Sequence, residues 1–158
     1  MLGTSLLEYV MNSRRFVVAV LAIFIFALVW NGFVHMVLLK EAGSALEGIA
    51  RPAGERNMVL GLLLTAGVAT LFVYSYISFV RTPGIKRALG HGVFFALLAG
   101  LFVDLNQFFL YPIPGSLAAA WFLSGFIEFC IYGALVAWLY PIAAQPVAPR
   151  DAPQAARP

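Results

Sequence analysis

The sequence predicts an all-α protein, a four-helix transmembrane bundle, and two observations carry this prediction. The first is composition: of 158 residues, 62% are hydrophobic and 11% are charged. A soluble domain has roughly a quarter charged residues, so this chain belongs in a membrane. The second is that the apolar residues form four long runs, at 16–39, 58–80, 92–110 and 117–140. Each run is close to the ~20 residues that cross a bilayer as a helix.

The first run follows two arginines, as the apolar segment of a signal peptide would. It is longer than the ~7–15 residues of such a segment, and no small-residue cleavage site follows it, so we interpret it as a retained helix. Ahead of it, residues 1–12 place Leu2, Leu6 and Val10 on one helical stripe. That stripe predicts a short N-terminal interfacial helix.

The four runs form a single transmembrane domain over residues 1–140, and 141–158 is a Pro- and Ala-rich tail. The tail has five prolines in 18 residues and little to bury, so we expect it to be disordered. A single cysteine, Cys130, excludes an internal disulfide. The basic residues are scattered without a basic stripe, so the expected partner is the lipid bilayer and not a nucleic acid.

The basic residues predict the orientation of the bundle. If both termini are cytoplasmic, seven lysines and arginines lie inside and three lie outside. The outer three are Lys40, Arg51 and Arg56. An excess of basic residues marks the cytoplasmic side, so we predict that both termini are inside.

Polar residues interrupt three of the runs, and helical spacing places them on stripes of small residues. Residues four apart share a helix face. The three stripes are Ala27/Asn31/His35, Gly92/Ala96/Gly100/Asp104 and Ala120/Ser124/Glu128/Tyr132. Small residues let membrane helices approach closely, so these polar groups should point at neighbouring helices.

At 1.5 Å per residue, the polar groups of these helices lie in the half of the bundle away from the termini. We therefore predict one buried polar cluster there, which is also a candidate ligand site. Its members are Asn31, His35, Asp104, Gln107, Ser124 and Glu128.

This cluster has two interpretations. A carboxylate at the centre of a membrane helix costs about 2.5–3.5 kcal/mol, so Asp104 and Glu128 bind a ligand, pair with other groups or are protonated. Burial favours the neutral form of a carboxyl group, and Glu128, the deepest, is the best candidate for it. The cluster is either a set of hydrogen bonds that fixes helix register, or a site for an ion, a proton or a small ligand. A metal ion, if the site holds one, would be bound by His35, Asp104 and Glu128, a nitrogen-and-oxygen set that suits a divalent transition metal.

The sequence names no cofactor. A b-type haem would need two histidines at similar depth. His35 is near the outer end of its run, whereas His91 lies beside Lys86 and Arg87 at the other end of the bundle. We therefore expect no b-type haem, and we expect His91 to be a solvated residue at a helix end. No nucleophile motif is present, so the sequence does not favour an enzyme.

The segments "HMVLL" and "YPIPGSLAAAWFLSGFIEF" resemble a group of small bacterial four-helix membrane proteins, a domain-of-unknown-function family. The residues that carry the resemblance are His35, Pro112, Pro114, Trp121, Phe122 and Glu128. The resemblance implies a multi-pass protein of the bacterial inner (cytoplasmic) membrane, and it implies no activity.

The function that these observations favour is a binding or accessory subunit, as a homo-oligomer or within a larger membrane complex. The alternative is a transporter-like or enzymatic protein that uses Asp104, Glu128 and His35 to handle ions, protons or a small ligand. A dry cluster in which every group is paired would favour the first interpretation. A cavity that opens outward would favour the second.

The predicted orientation can be tested with a reporter fused to the C-terminus. We expect alkaline phosphatase, which is active only outside the cytoplasm, to be inactive there, and green fluorescent protein to fluoresce. The same reporters fused within the 40–57 loop should give the opposite pattern. Phosphatase activity at the C-terminus would contradict the model with both termini inside.

Overall fold

The computed structural model describes residues 12–80 and 82–142, and the described chain is helical. Its α-helices are α1 (Ser13–Phe33), α2 (Met58–Phe79), α3 (Ile85–Ala99), α4 (Leu105–Leu110) and α5 (Gly115–Leu139). A π-helical turn, Val34–Leu38, extends α1, and a second, Gly100–Asp104, joins α3 to α4.

Four spans result: Ser13–Leu38, Met58–Phe79, Ile85–Leu110 and Gly115–Leu139. Among the described residues there is no strand. The predicted all-α, four-helix fold is confirmed, and the chain is a multi-pass membrane protein. The predicted interfacial helix, apart from Asn12, and the tail beyond residue 142 lie outside the described residues.

Local sequence explains where the helices begin and end. The side chains of Asn12 and Asn57 cap α1 and α2, each accepting a hydrogen bond of 3.0 Å from the backbone N–H three residues on. In the tight α2–α3 turn, Gly84 has a φ of 127°, a conformation open to glycine but not to residues with a Cβ. Pro112 and Pro114 lie between α4 and α5, where proline prevents the helix from continuing.

The third membrane helix begins earlier than the predicted span of 92–110. Lys86 and Arg87 lie exposed in the first turn of α3, because long basic side chains at a helix end can reach water. His91 is therefore well inside the helix and half-buried, with Nε2 3.1 Å from the Ser75 hydroxyl oxygen. The expectation that His91 is a solvated residue at a helix end is wrong.

The backbones of α3 and α5 are in direct contact at two glycines. A Cβ placed on Gly92 would lie 2.3 Å from the carbonyl oxygen of Phe129, and one on Gly133 would lie 2.5 Å from that of Ala88. Neither distance is possible for real atoms. The predicted close contact along the small-residue stripe of α3 is therefore present, and it brings two backbones together.

The bundle is closed at one end and open at the other. We call the end of the bundle where Asn12 contacts Tyr140 the termini end, and the end with the 40–57 loop the loop end. The buried core lies toward the termini end and includes Ala19, Ile23, Phe72, Val73, Tyr76, Tyr132 and Val136. Residues 58–64 of α2 are all exposed. Because only the second half of α2 has buried residues, α2 does not cover the other helices at the loop end.

The glycine contact predicts a large effect from a single methyl group. Gly92→Ala should lower the free energy of unfolding by about 1–3 kcal/mol, since α3 and α5 must separate to admit the Cβ. The matched control is Gly61→Ala in α2, where a Cβ would meet no atom within 4 Å. Thermal unfolding of the detergent-solubilised variants measures both. Equal midpoints for the two variants would show that α3 and α5 do not depend on this contact.

Candidate functional site

The loop end contains a cavity of about 330 Å³ between α1, α5 and the segment that joins α3 to α4. All six residues that the sequence predicted for a ligand site line this cavity: Asn31, His35, Asp104, Gln107, Ser124 and Glu128. We call it the acidic cavity, after its two carboxyl groups. That these residues bind a ligand stays a prediction.

Glu128 is the buried anchor of the acidic cavity and has 9% of its surface exposed. Its Oε1 accepts a hydrogen bond of 2.8 Å from the Asn31 side-chain amide and another from the Tyr132 hydroxyl. The Asn31 amide also donates to the Ala27 carbonyl oxygen, at 2.9 Å. Asn31 thus joins α1 to α5, and Tyr132 lies one helical turn from Glu128 toward the core.

The two oxygens of Glu128 differ in their surroundings. Both hydrogen bonds end on Oε1, and Oε2 accepts none from the residues described. Within residues 12–80 and 82–142, no buried side-chain nitrogen or oxygen lacks a partner. Since Oε2 has no such partner, it is not fully buried. Glu128 lines the acidic cavity, so the accessible surface of Oε2 faces this cavity.

Three further polar side chains line the acidic cavity. Within the described part of the chain, Asp104, Gln107 and His35 make no side-chain hydrogen bond or ion pair. Asp104 and Gln107 are half-buried, and His35 is exposed. The prediction of a buried cluster is therefore wrong for most of its members, because these side chains line an open cavity, and Glu128 alone of the six is buried. The carboxylate of Asp104 approaches α5 at Gly125, where an added Cβ would lie 4.0 Å from Oδ2. The wall of the cavity thus offers acceptors and donors that the protein does not use.

Ser124 differs from the other predicted site residues. Its hydroxyl donates to the Trp121 carbonyl oxygen of its own helix, at 2.9 Å. Its backbone carbonyl accepts a hydrogen bond of 3.2 Å from the Trp30 indole. Ser124 therefore contributes to the contact between α1 and α5, and its hydroxyl is already occupied.

Both π-helical turns carry residues of the acidic cavity. Val34–Leu38 includes His35, and Gly100–Asp104 ends at Asp104. A π-turn inserts an extra residue into a helix and rotates the side chains that follow, and such turns are frequent at functional sites. Here both turns lie at the loop end, where the cavity is.

The acidic residues do not form a compact metal site. Among the residues that the structure describes, no three His, Cys, Asp or Glu side chains are grouped so that they could share a metal ion. The proposed set of His35, Asp104 and Glu128 therefore lines one cavity without converging on one point.

Sequence reasoning missed two residues of the site. Tyr132 was placed on the stripe of Glu128, and that spacing of four could have identified it as the hydrogen-bond donor. Trp121 lines the acidic cavity, whereas the sequence singled it out only as one of the residues that carry the family resemblance.

Comparisons of the chain with models of protein families, with curated proteins and with solved structures found no match. The resemblance to a family of small bacterial four-helix proteins therefore stays a prediction.

The hydrogen bonds of Glu128 predict unequal effects of two substitutions. Glu128→Leu leaves the buried Tyr132 hydroxyl without an acceptor and should lower the free energy of unfolding by about 1–3 kcal/mol. Glu128→Gln keeps an acceptor oxygen and should cost less than half as much. Chemical unfolding in detergent compares them, with Glu55→Gln in the loop as a control for charge. Similar losses for both Glu128 variants would show that the hydrogen bonds to Oε1 add little.

Proposed function

We propose that this is a transporter-like membrane protein that binds a small ligand through an ammonium group in the acidic cavity. The observation that carries the proposal is the presence of unused acceptors. Asp104 and Glu128 Oε2 accept no hydrogen bond within the described chain, although both carboxyl groups lie in a membrane span. A carboxylate at such a depth is costly, so a group that binds to both would compensate that cost.

The size and the chemistry of the cavity support an organic cation. Its volume of about 330 Å³ is at the lower end of the range of small-molecule sites. Two carboxyl groups on separate helices suit an ammonium group, which has three hydrogen-bond donors and can contact both. The lack of a compact group of ligands among the described residues makes a dedicated metal site the weaker candidate.

The accessory-subunit interpretation required a cluster in which every group is paired. Among the described residues the side chains of Asp104, Gln107 and His35 have no hydrogen-bond partner, and for this reason we favour the alternative. Assembly into a homo-oligomer or a larger complex stays a prediction, and ligand binding does not depend on it.

The proposed location is a bacterial cytoplasmic membrane with both termini inside. The excess of basic residues on the side of the termini supports this orientation. The acidic cavity would then lie in the outer half of the bilayer, so its ligand would come from the outer side of the membrane.

The proposal can be tested with ethanolamine and its uncharged analogue, ethylene glycol. Ethanolamine should raise the thermal unfolding midpoint of the solubilised protein in a saturable manner, because a ligand that binds the native state stabilises it. Asp104→Asn and Glu128→Gln should each weaken its binding by roughly tenfold or more, the loss expected for a charge-assisted hydrogen bond.

The control is again Glu55→Gln, which removes a carboxylate from the loop and not from the acidic cavity. This variant should bind ethanolamine as the unaltered protein does. Stabilisation by ethylene glycol to the same extent, or undiminished binding by both cavity variants, would contradict a cation site.

A further inference from the structure

Two more cavities adjoin the acidic cavity at the loop end. The loop cavity, of about 420 Å³, lies under the 40–57 loop, and the lateral cavity, of about 580 Å³, lies beside α4. Trp121 lines all three. His35 lines the acidic and loop cavities, and Gln107 lines the acidic and lateral ones. The three cavities therefore meet around one indole ring, and a single molecule could occupy them together.

The loop cavity has a positive charge in excess. Arg51 and Arg56 line it together with one carboxylate, Glu47. The Arg56 Nε–H donates to the Arg51 carbonyl oxygen at 2.9 Å, which holds its guanidinium group beside that loop backbone. Within the described chain neither arginine forms an ion pair. Two unpaired guanidinium groups suit a phosphate or a carboxylate, which arginine binds through paired hydrogen bonds.

The lateral cavity is largely apolar. Most of its lining is hydrocarbon or aromatic, including Leu46, Ile49, Phe102, Leu110 and Ile113. Phe102 has 72% of its surface exposed and lies in a membrane span, so this wall of the cavity faces the acyl chains of the bilayer. An apolar cavity open to lipid suits a hydrocarbon chain.

We propose that the ligand is a zwitterionic lipid whose head occupies the acidic and loop cavities and whose chain lies in the lateral cavity. The ammonium group contacts Asp104 and Glu128, and the phosphate contacts Arg51 and Arg56. This inference rests on the proposed function, because the ammonium site is the same. It adds a phosphate group, which distinguishes this ligand from a simple amine. It also adds a hydrocarbon chain, which distinguishes the ligand from a soluble zwitterion such as phosphoethanolamine.

The arrangement agrees with the depths of the groups. Arg51 and Arg56 belong to the loop that leaves the membrane, where lipid phosphates lie, whereas the two acids are one or more helical turns deeper. A lipid that entered sideways past Phe102 could keep its phosphate at the interface while its ammonium group turned into the bundle. The arginines thus lie at the depth of the phosphate, and the acids lie deeper, where the ammonium group of the same head group would be.

The test measures equilibrium binding of four probes to the full chain in detergent by isothermal titration calorimetry. The probes are dihexanoyl phosphatidylethanolamine, dihexanoyl phosphatidylglycerol, phosphoethanolamine and ethanolamine. The phosphatidylethanolamine should bind most tightly, at least tenfold more tightly than each of the others. The phosphatidylglycerol lacks the ammonium group, phosphoethanolamine lacks the chains, and ethanolamine lacks both the phosphate and the chains.

Variants assign each part of the lipid to its cavity. Arg51→Gln combined with Arg56→Gln should weaken binding of the phosphatidylethanolamine roughly tenfold to a hundredfold and leave ethanolamine unaffected. Asp104→Asn should weaken both. The matched control is Lys40→Gln, which removes a basic residue of the same loop that lines none of the three cavities, and it should change neither affinity.

The outcomes separate this inference from the function on which it rests. If ethanolamine binds as tightly as the phosphatidylethanolamine, the cation site stands and the zwitterionic lipid is overturned. If phosphoethanolamine binds as tightly, the ligand is a soluble zwitterion and the lipid is overturned. Equal binding of the phosphatidylglycerol would overturn the ammonium contact. If no amine binds, both proposals fail.

Discussion

The contact between the backbones of α3 and α5 is the constraint on which the rest of the structure depends. Gly92 and Gly133 each place the partner helix's carbonyl oxygen where a Cβ would otherwise be, so the two contacts are reciprocal. Phe129, whose carbonyl meets Gly92, is the neighbour of Glu128. Fixing α5 against α3 therefore also fixes the direction in which Glu128 leaves α5, toward Asn31 on α1. Lipid provides no hydrophobic force between helices, so close contacts of this kind take its place in holding the bundle together.

A bundle held in this way need not be equally closed along its length. At the termini end, rings from two helices surround Phe72 of α2: His91 and Phe95 on α3, and Phe129 and Tyr132 on α5. At the loop end α2 contributes nothing buried, and the space between α1, α4 and α5 is polar and open. Glu128 lies at the boundary, with Tyr132 on the core side and the acidic cavity on the other. The position of the cavity thus follows from where the aromatic core stops.

Much of this arrangement was predictable, because helical periodicity is a strong rule within a span. Asn31 and Glu128 were identified by their spacing from small residues, and they contact each other. The rule fails where a helix departs from 3.6 residues per turn, and no pattern in the sequence predicts the turn Gly100–Asp104 as π-helical.

The start of α3 was missed for another reason. The apolar run begins only after Lys86 and Arg87, although a helix can include charged residues whose side chains reach water. Arg51 and Arg56 lie in a loop, where no helical periodicity predicts the direction of a side chain. Only the structure could show that both line the loop cavity.

The two oxygens of Glu128 show why one residue can belong both to the fold and to a site. Oε1 takes the hydrogen bonds that join α1 to α5, and an amide oxygen could take them equally well. A carboxylate is not required for that role, and at this depth it is the more costly choice. What a carboxyl group adds over an amide is a second oxygen, Oε2, which reaches the acidic cavity and shares the negative charge when the group is ionised. Asp104 presents a carboxyl group from the π-helical turn between α3 and α4, and its side chain makes no hydrogen bond to residues 12–80 and 82–142. The feature that packing leaves unexplained is therefore the pair of carboxyl groups on the cavity wall, and the proposed binding of a cation would account for both of them.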